Sequence, residues 1–338
     1  MRKFFLSFII LLIGFASISA KDISPLILTI KSYPLSDEEK AYIKLVNPYG
    51  FVFVEKDFKT SIDLLALKQD LVDLLDHKVY FFMDQEGGRV NRLKYLFPKN
   101  DFPSAEYYGN MVEEASLKEV KDQVFDKAKE MALYLALISV DVNFAPNAEI
   151  RPANYTGFFK TRLYSEDPKI VKELSDAFAK GTRAGGVEPC YKHFPGTALS
   201  ETDPHTSTPI IRNITLQDLI KREFVPFESA KNYKYIMMGH ALYPEIDEVN
   251  ISTFSPKFYK MIRERLHFKG LIITDALNMK ATGNISIGEK IARSLSAGAD
   301  LAMPFFDDNM PFEERLEELK KIPYPIKKQF NKKIQKMR

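Results

Sequence analysis

Titratable side chains stand directly after several short apolar runs of this 338-residue chain. Asp84-Gln85-Glu86-Gly87-Gly88-Arg89 follows one run, Lys192-His193 lies in another, and His240 and Asp275 end two more. Carboxylates and imidazoles are the groups that enzymes use to transfer protons and to attack electrophilic atoms. Each group alone has an ordinary explanation, such as the start of a loop or the cap of a helix. Their shared position after apolar runs favours an active site.

The elements that would position these groups alternate along the chain. Eight short apolar runs predict strands: Leu26 to Ile30, Phe51 to Val54, Val79 to Met83, Ile138 to Val142, Cys190 to Phe194, Tyr235 to Met238, Leu271 to Ile273 and Leu301 to Met303. Between them the apolar period lengthens to about 3.6 residues, which predicts helices at 36–45, 61–76, 116–137, 168–183, 216–231, 255–266, 287–297 and 313–321.

Buried strands that alternate with amphipathic helices are typical of a parallel sheet covered by helices. Eight such units predict the α/β class and a single-domain (β/α)8 TIM barrel, whose chemistry lies where strands end and loops begin. The alternative is an open, doubly wound sheet. Such a sheet usually has a glycine-rich turn after its first strand, and residues 31–36 contain no glycine.

Composition excludes several classes of protein. The chain is 45% hydrophobic and carries a formal charge of +3, which excludes a disordered chain and gives no indication of nucleic-acid binding. Its single cysteine, Cys190, excludes an intramolecular disulfide and a cysteine-rich zinc site. No HExxH or similar ligand spacing occurs, so the motifs of the sequence indicate no metal site.

The first twenty residues have the pattern of a secretory signal peptide. Arg2 and Lys3 precede an apolar run from Phe4 to Phe15, and small residues end at Ala20. The run is shorter than the ~20 residues of a membrane span, so cleavage near residue 20 is favoured over an uncleaved anchor. We therefore expect a signal peptide at 1–20, a barrel domain at 21–338, and a monomeric protein exported to the periplasm or beyond.

Specific motifs accompany the predicted strand ends. DQEGGRVNR spans 84–92, VNFAPNAEI 142–150, RLYSEDP 162–168, YKHFPG 191–196, DPH 203–205, MMGHALYPEID 237–247 and GLIITDALNMKA 270–281. In this order they resemble the β-N-acetylglucosaminidases of glycoside hydrolase family 3, from about residue 26 to residue 304. The adjacent glycines allow a tight turn after the third strand, and Asp84, Arg89 and Arg92 could face a polar ligand.

The resemblance implies a catalytic role for each of three residues. Asp275 matches the nucleophile that forms a glycosyl ester in a retaining glycosidase. His205 matches a histidine acid/base on a loop, and Asp203 matches the aspartate that orients it. The alternatives are a helix N-cap for Asp275 and a polar surface loop for 203–205.

The resemblance also implies five residues that bind the sugar. Asp84 matches a residue that hydrogen-bonds sugar hydroxyls, Arg92 and Arg162 match its basic partners, and Lys192 with His193 matches a pair that holds the same ring. On an apolar strand, His193 alone would more often be a core histidine.

Four positions, in three segments, depart from the family pattern. Pro204 replaces a serine, Thr197-Ala198 replaces the His-Gly of PGHG, and Glu149 replaces an aspartate. The function that follows is a retaining exo-β-N-acetylglucosaminidase acting on terminal N-acetylglucosamine in cell-wall fragments or chitooligosaccharides. Its expected partner is a small carbohydrate, and because the implied mechanism uses only side chains and water, neither a metal nor an organic cofactor is expected. The alternatives are a β-glucosidase, an exported sugar-binding pseudoenzyme and a metal-dependent barrel hydrolase.

Overall fold

A computed structural model describes residues 22–30, 33–54 and 60–337. The predicted signal peptide at 1–20 lies outside the described residues. The strands are β1 (Ser24–Thr29), β2 (Pro48–Phe53), β3 (Tyr80–Met83), β4 (Gln85–Gly87), β5 (Val90–Asn91), β6 (Val142–Asn143), β7 (Glu188–Phe194), β8 (Tyr235–Met238), β9 (Leu271–Ala276) and β10 (Leu301–Met303).

The α-helices of the described residues are α1 (Asp37–Val46), α2 (Ser61–Leu74), α3 (Leu93–Leu96), α4 (Ala105–Met111), α5 (Leu117–Leu137), α6 (Pro168–Ala184), α7 (Leu216–Lys221), α8 (Pro256–Glu264), α9 (Ile287–Ala297), α10 (Phe312–Leu319) and α11 (Tyr324–Met337). Short 3₁₀ helices cover Lys160–Arg162, Pro226–Asn232, Ser252–Phe254 and Lys280–Thr282.

Eight of the strands close into a parallel barrel in the order β1-β10-β9-β8-β7-β6-β3-β2. Strands β4 and β5 form a separate antiparallel hairpin just after β3. The prediction of a single-domain (β/α)8 barrel is confirmed. All carboxyl ends of the barrel strands therefore meet at one end, which we call the mouth.

Local signals in the sequence place the helices around the barrel. Ser36 and Ser116 each form a capping box with the glutamate three residues later, which satisfies free amides in the first turns of α1 and α5. Along α2 the spacing of Leu64, Leu67 and Leu71 puts all three on the buried face, as the sequence predicts.

Large side chains fill the barrel interior, and α11 covers the end opposite the mouth. Tyr49, Phe82 and Tyr235 belong to the inner cluster, and the hydroxyls of Tyr49 and Tyr235 lie 2.8 Å apart. Phe330 and Ile334 of α11 join the same cluster. The barrel is thus a packed core rather than a pore.

Two predicted elements are wrong in extent. The strand predicted at Ile138 to Val142 is β6, at Val142–Asn143, because α5 reaches Leu137 and Ser139 turns the chain with a positive φ of 59°. The helix predicted at 216–231 ends at Lys221, and Pro226, which has no amide hydrogen, begins a 3₁₀ helix instead.

Candidate active site

Strand alternation aims the charged side chains into the mouth. Phe82, Cys190 and Ile273 face the barrel interior, and successive side chains of a strand point to opposite sides. Two residues further along their strands come Asp84, Lys192 and Asp275, which therefore also point inward, above the packed core. The register of β7 against β8 shifts between Tyr191 and Phe194, within which Lys192 and His193 lie. Both of these side chains face the mouth.

One cavity of about 240 Å³ at the mouth brings together most of the residues predicted from the sequence. Seven of the eight predicted residues line it: Asp84, Arg92, Arg162, Lys192, His193, His205 and Asp275. The eighth, Asp203, does not line the cavity but contacts His205, which does. Arg89, Phe158, Phe159 and Met279 complete much of the remaining wall.

Asp275 lies at the end of β9 as a mostly buried carboxylate. One of its oxygens accepts a hydrogen bond from the Ala276 amide at 2.7 Å, and the other lies 3.8 Å from His193 Nε2. Burial alone would raise the pKa of Asp275, but His193, His240 and the neighbouring amide hold that pKa below its usual value. The carboxylate is therefore ionised at neutral pH and faces the cavity.

His193 is held from behind by Glu149. The Nδ1 atom of His193 lies 2.6 Å from Glu149 Oε1. The other oxygen of Glu149 accepts hydrogen bonds from the backbone amides of Thr197 and Ala198. Thus Glu149 binds the histidine and the two residues that replace the His-Gly of the family motif. These contacts give the departures at 149, 197 and 198 a common structural basis.

A buried ion-pair network supports the opposite wall. Arg162 makes a bidentate pair with Glu86, with contacts of 2.8 and 2.7 Å, and Lys192 Nζ lies 2.6 Å from Glu86 and 2.5 Å from Asp84. Burial alone would raise the pKa of Glu86, but Arg162 and Lys192 hold it well below its usual range. Burial would lower the pKa of Lys192, but Asp84 and Glu86 raise it above its usual value.

The loop at 203–208 carries His205 to the edge of the cavity. Asp203 Oδ1 lies 2.7 Å from His205 Nδ1 and accepts the His205 backbone amide at 2.9 Å. Because Nδ1 faces a carboxylate, it carries the proton, and Nε2 is left for a ligand. The His205 side chain remains 53% exposed. It is the most open of the predicted catalytic groups.

This loop is fastened to the turn that follows β9. The carbonyl of Pro204 accepts a hydrogen bond from the Ala281 amide at 3.0 Å, and the Thr208 hydroxyl donates to the Ala281 carbonyl at 2.9 Å. Proline cannot donate through its own nitrogen, and only its carbonyl is used here. Therefore a proline at position 204, in place of the family's serine, is compatible with the hydrogen bonds that hold this loop against the turn after β9.

Glu86, Phe158 and Phe159 contribute to the site and were not predicted from the sequence. Glu86 is the centre of the ion-pair network, and its position two residues after Asp84 in DQEGGR was the available signal. Phe158 packs beside His205, with ring centres 5.4 Å apart, and Phe159 lies 5.7 Å from His193. Both aromatic residues come from an irregular segment in which no periodicity indicates where a side chain points.

His240 has a supporting position rather than a place in the cavity wall. It is fully buried, with Nδ1 2.6 Å from the Thr253 hydroxyl and Nε2 3.1 Å from the Ala276 carbonyl. Burial lowers its pKa. This histidine therefore contacts the backbone at the end of β9, next to Asp275, and helps to fix its position.

The N-terminal domain model of glycosyl hydrolase family 3 matches residues 37–336. This chain belongs to glycosyl hydrolase family 3. Among family relatives, the beta-hexosaminidase of Vibrio cholerae serotype O1 is 30% identical over 284 residues, covering 82% of this chain and 82% of that protein. The beta-hexosaminidase of Psychromonas ingrahamii is 27% identical over 285 residues, again covering 82% of each chain.

Solved structures of the family share the fold. Native NagZ from Neisseria gonorrhoeae superposes with a TM-score of 0.80 at 25% identity, covering 91% of this chain and 89% of that one. The same protein in complex with N-trifluoroacetyl-D-glucosamine gives a TM-score of 0.76 at 24% identity, covering 88% and 90%. The family match and the beta-hexosaminidase relatives show that this chain is a glycosidase of the beta-hexosaminidase type.

Proposed function

We propose that the chain is a retaining exo-β-N-acetylglucosaminidase that removes terminal N-acetylglucosamine from cell-wall fragments or chitooligosaccharides. The observation that carries the proposal is the convergence, in one cavity, of an ionised carboxylate and a carboxylate-bound histidine: Asp275 and the His205–Asp203 pair. A retaining glycosidase needs a nucleophile and an acid/base, and this cavity offers a candidate for each.

In the first step, Asp275 attacks the anomeric carbon while the bond to the leaving oxygen breaks. The protonated ring of His205 gives its Nε2 proton to that oxygen, and Asp203 stabilises the imidazolium from which the proton comes. The products of this step are a glycosyl ester on Asp275, a neutral imidazole and the departed alcohol.

In the second step, water attacks the anomeric carbon of the ester. His205 takes the proton from the water, and the bond to Asp275 breaks, which restores the carboxylate and the imidazolium. Two displacements at one carbon retain its configuration. Because the low pKa of Asp275 makes it ionised at neutral pH, the nucleophile is ready without a separate base.

The size and polarity of the cavity support a single terminal sugar. Its volume of about 240 Å³ lies below the ~300–1,000 Å³ of pockets for drug-sized ligands. Asp84, Lys192 and Arg162 offer both acceptors and donors to ring hydroxyls. The N-trifluoroacetyl-D-glucosamine bound by Neisseria gonorrhoeae NagZ supports an amino sugar as the ligand.

The N-terminal sequence supports export of the enzyme to the periplasm or the medium, where cell-wall fragments are available. Among the described residues, none of the helices has both the length and the apolarity to cross a bilayer. Fractionation of cells expressing the full chain tests this part of the proposal. Recovery in the cytoplasm would contradict it.

Hydrolysis of an aryl β-N-acetylglucosaminide tests the catalytic proposal. The wild type should turn it over, and Asp275→Ala should lose nearly all activity. Asp126→Ala, on the exposed side of α5, is a matched control and should retain the wild-type rate. Equal rates for Asp275→Ala and the wild type would end the assignment, and faster hydrolysis of the matching β-glucoside would favour a glucosidase.

A further inference from the structure

Helix α11, which closes the barrel opposite the mouth, carries only one sign of charge. Its sequence, YPIKKQFNKKIQKM, contains five lysines and no acidic residue. By contrast, α5 carries four lysines and four acidic residues, and the whole chain has a formal charge of only +3. Positive charge is therefore concentrated on α11 rather than spread evenly over the molecule.

The packing of α11 places three of its lysines along one exposed stripe. Phe330 and Ile334 are buried against the barrel interior. Lys328, Lys332 and Lys336 follow at intervals of four residues, and a rotation of about 100° per residue puts them on the opposite side of the helix. All three are exposed, and none forms an ion pair with another described residue.

Further lysines extend the stripe across the same end of the barrel. Lys333 Nζ contacts the Gly270 carbonyl at 3.1 Å and Asp300 at 2.7 Å, which fixes α11 beside the start of β9. Exposed lysines precede β3, β8 and β9, whose amino ends lie at one edge of a parallel barrel. We call the resulting surface the basic face; its members are Lys78, Lys234, Lys269, Lys328, Lys332 and Lys336.

The described chain also begins at this face. Asn331 of α11 accepts a hydrogen bond from the Ile23 amide at 3.0 Å and donates one to the Ile23 carbonyl at 2.9 Å. These two hydrogen bonds fix the start of β1 to α11, on the side of the basic face.

From these contacts we infer that the basic face docks on an anionic phospholipid bilayer. Each lysine near an anionic surface adds a similar increment to the binding free energy, so the six lysines of the basic face act together. Docking through this face points the mouth away from the lipid, towards soluble sugars. This inference concerns the opposite end of the barrel and does not depend on the proposed catalytic residues.

Sedimentation of the protein without the predicted signal peptide at 1–20, mixed with vesicles, tests the inference. The vesicles are phosphatidylcholine alone or phosphatidylcholine mixed with phosphatidylglycerol, so that the two differ in surface charge. The test variant is Lys328→Gln, Lys332→Gln and Lys336→Gln combined. The matched control combines Lys118→Gln, Lys127→Gln and Lys129→Gln, three exposed lysines of the charge-balanced α5.

The wild type and the α5 variant should prefer the anionic vesicles, and added salt should weaken that preference. The α11 variant should partition onto the anionic vesicles roughly 100-fold less, with unchanged binding to the neutral ones. Both variants should keep their thermal unfolding midpoint and their hydrolysis rate, which separates this test from the catalytic proposal. Equal binding of the wild type to both vesicles, equal loss in both variants, or binding to a soluble polyanion without vesicle binding would overturn the inference.

Discussion

The contact between Asp203 and His205 can be weakened with almost no change of shape by the substitution Asp203→Asn. In the wild type, Asp203 Oδ1 faces both the backbone amide and Nδ1 of His205, at 2.9 and 2.7 Å. The asparagine oxygen can still accept from the backbone amide, but it carries no charge to stabilise the imidazolium. The substitution therefore removes an electrostatic contribution and retains the turn.

The size of the effect follows from the exposure of the pair. A hydrogen bond to a charged group contributes about 1.5–3 kcal/mol. The side chains of His205 and Asp203 are 53% and 28% exposed, so solvent screening favours the lower end of that range. A loss of about 1.4 kcal/mol corresponds to a tenfold lower rate, so we expect kcat/KM to fall by roughly tenfold when the leaving group is a sugar.

The assay compares leaving groups. Proton donation matters for a sugar alcohol, but hardly at all for an activated dinitrophenolate, which departs without a proton. Asp203→Asn should therefore slow hydrolysis of a disaccharide by roughly tenfold and leave hydrolysis of the dinitrophenyl glycoside nearly unchanged in its first step. An equal loss with both substrates, or no loss with either, would refute the role given to this pair.

Two further predictions concern buried carboxylates and the pH dependence of stability. Glu86→Gln should lower the free energy of unfolding at neutral pH by about 3–5 kcal/mol, because Lys192 and Arg162 lose their shared partner. Folding lowers the pKa of Glu86, so the contribution of its carboxylate to stability is present above the unfolded pKa of about 4.3 and is lost as pH falls. The urea midpoints of the wild type and the variant should therefore converge in acid. A difference that stays constant with pH would contradict this role. Burial raises the pKa of Glu223 to about 7, so its contribution to stability is present below the unfolded value and is lost as pH rises to 7. As pH rises from acid to alkaline, the free energy of unfolding of Glu223→Gln should therefore increase relative to that of the wild type, by on the order of 3 kcal/mol. Urea unfolding that gives parallel pH profiles for the two proteins would count against this prediction.

The parts of the fold that were predictable depend on strong patterns. Apolar runs such as Tyr235 to Met238 match strands residue for residue, since all their side chains are buried. Helix α11 escaped prediction because only Phe330 and Ile334 mark its buried face among five lysines. The β4–β5 hairpin escaped because its strands contain only three and two residues, too few for an alternating pattern.

In the candidate site, too, local patterns predict some residues but not the contacts between distant segments. Asp84, Lys192 and Asp275 follow apolar runs, and strand alternation turns them all into the mouth. The contacts that orient them depend on distances between segments far apart in the chain. Glu149 and His193, for example, lie 44 positions apart, and no local pattern indicates that their side chains meet.

Trapping of the glycosyl ester is the most direct test of the proposed chemistry. The wild type is incubated with a fluorinated, slowly hydrolysed N-acetylglucosaminide, digested, and analysed by mass spectrometry. The sugar mass should appear on the peptide that contains Asp275, and fragmentation should place it on that residue. A label on a different residue, or no label from an enzyme that rapidly hydrolyses the aryl substrate, would contradict a nucleophile at the end of β9.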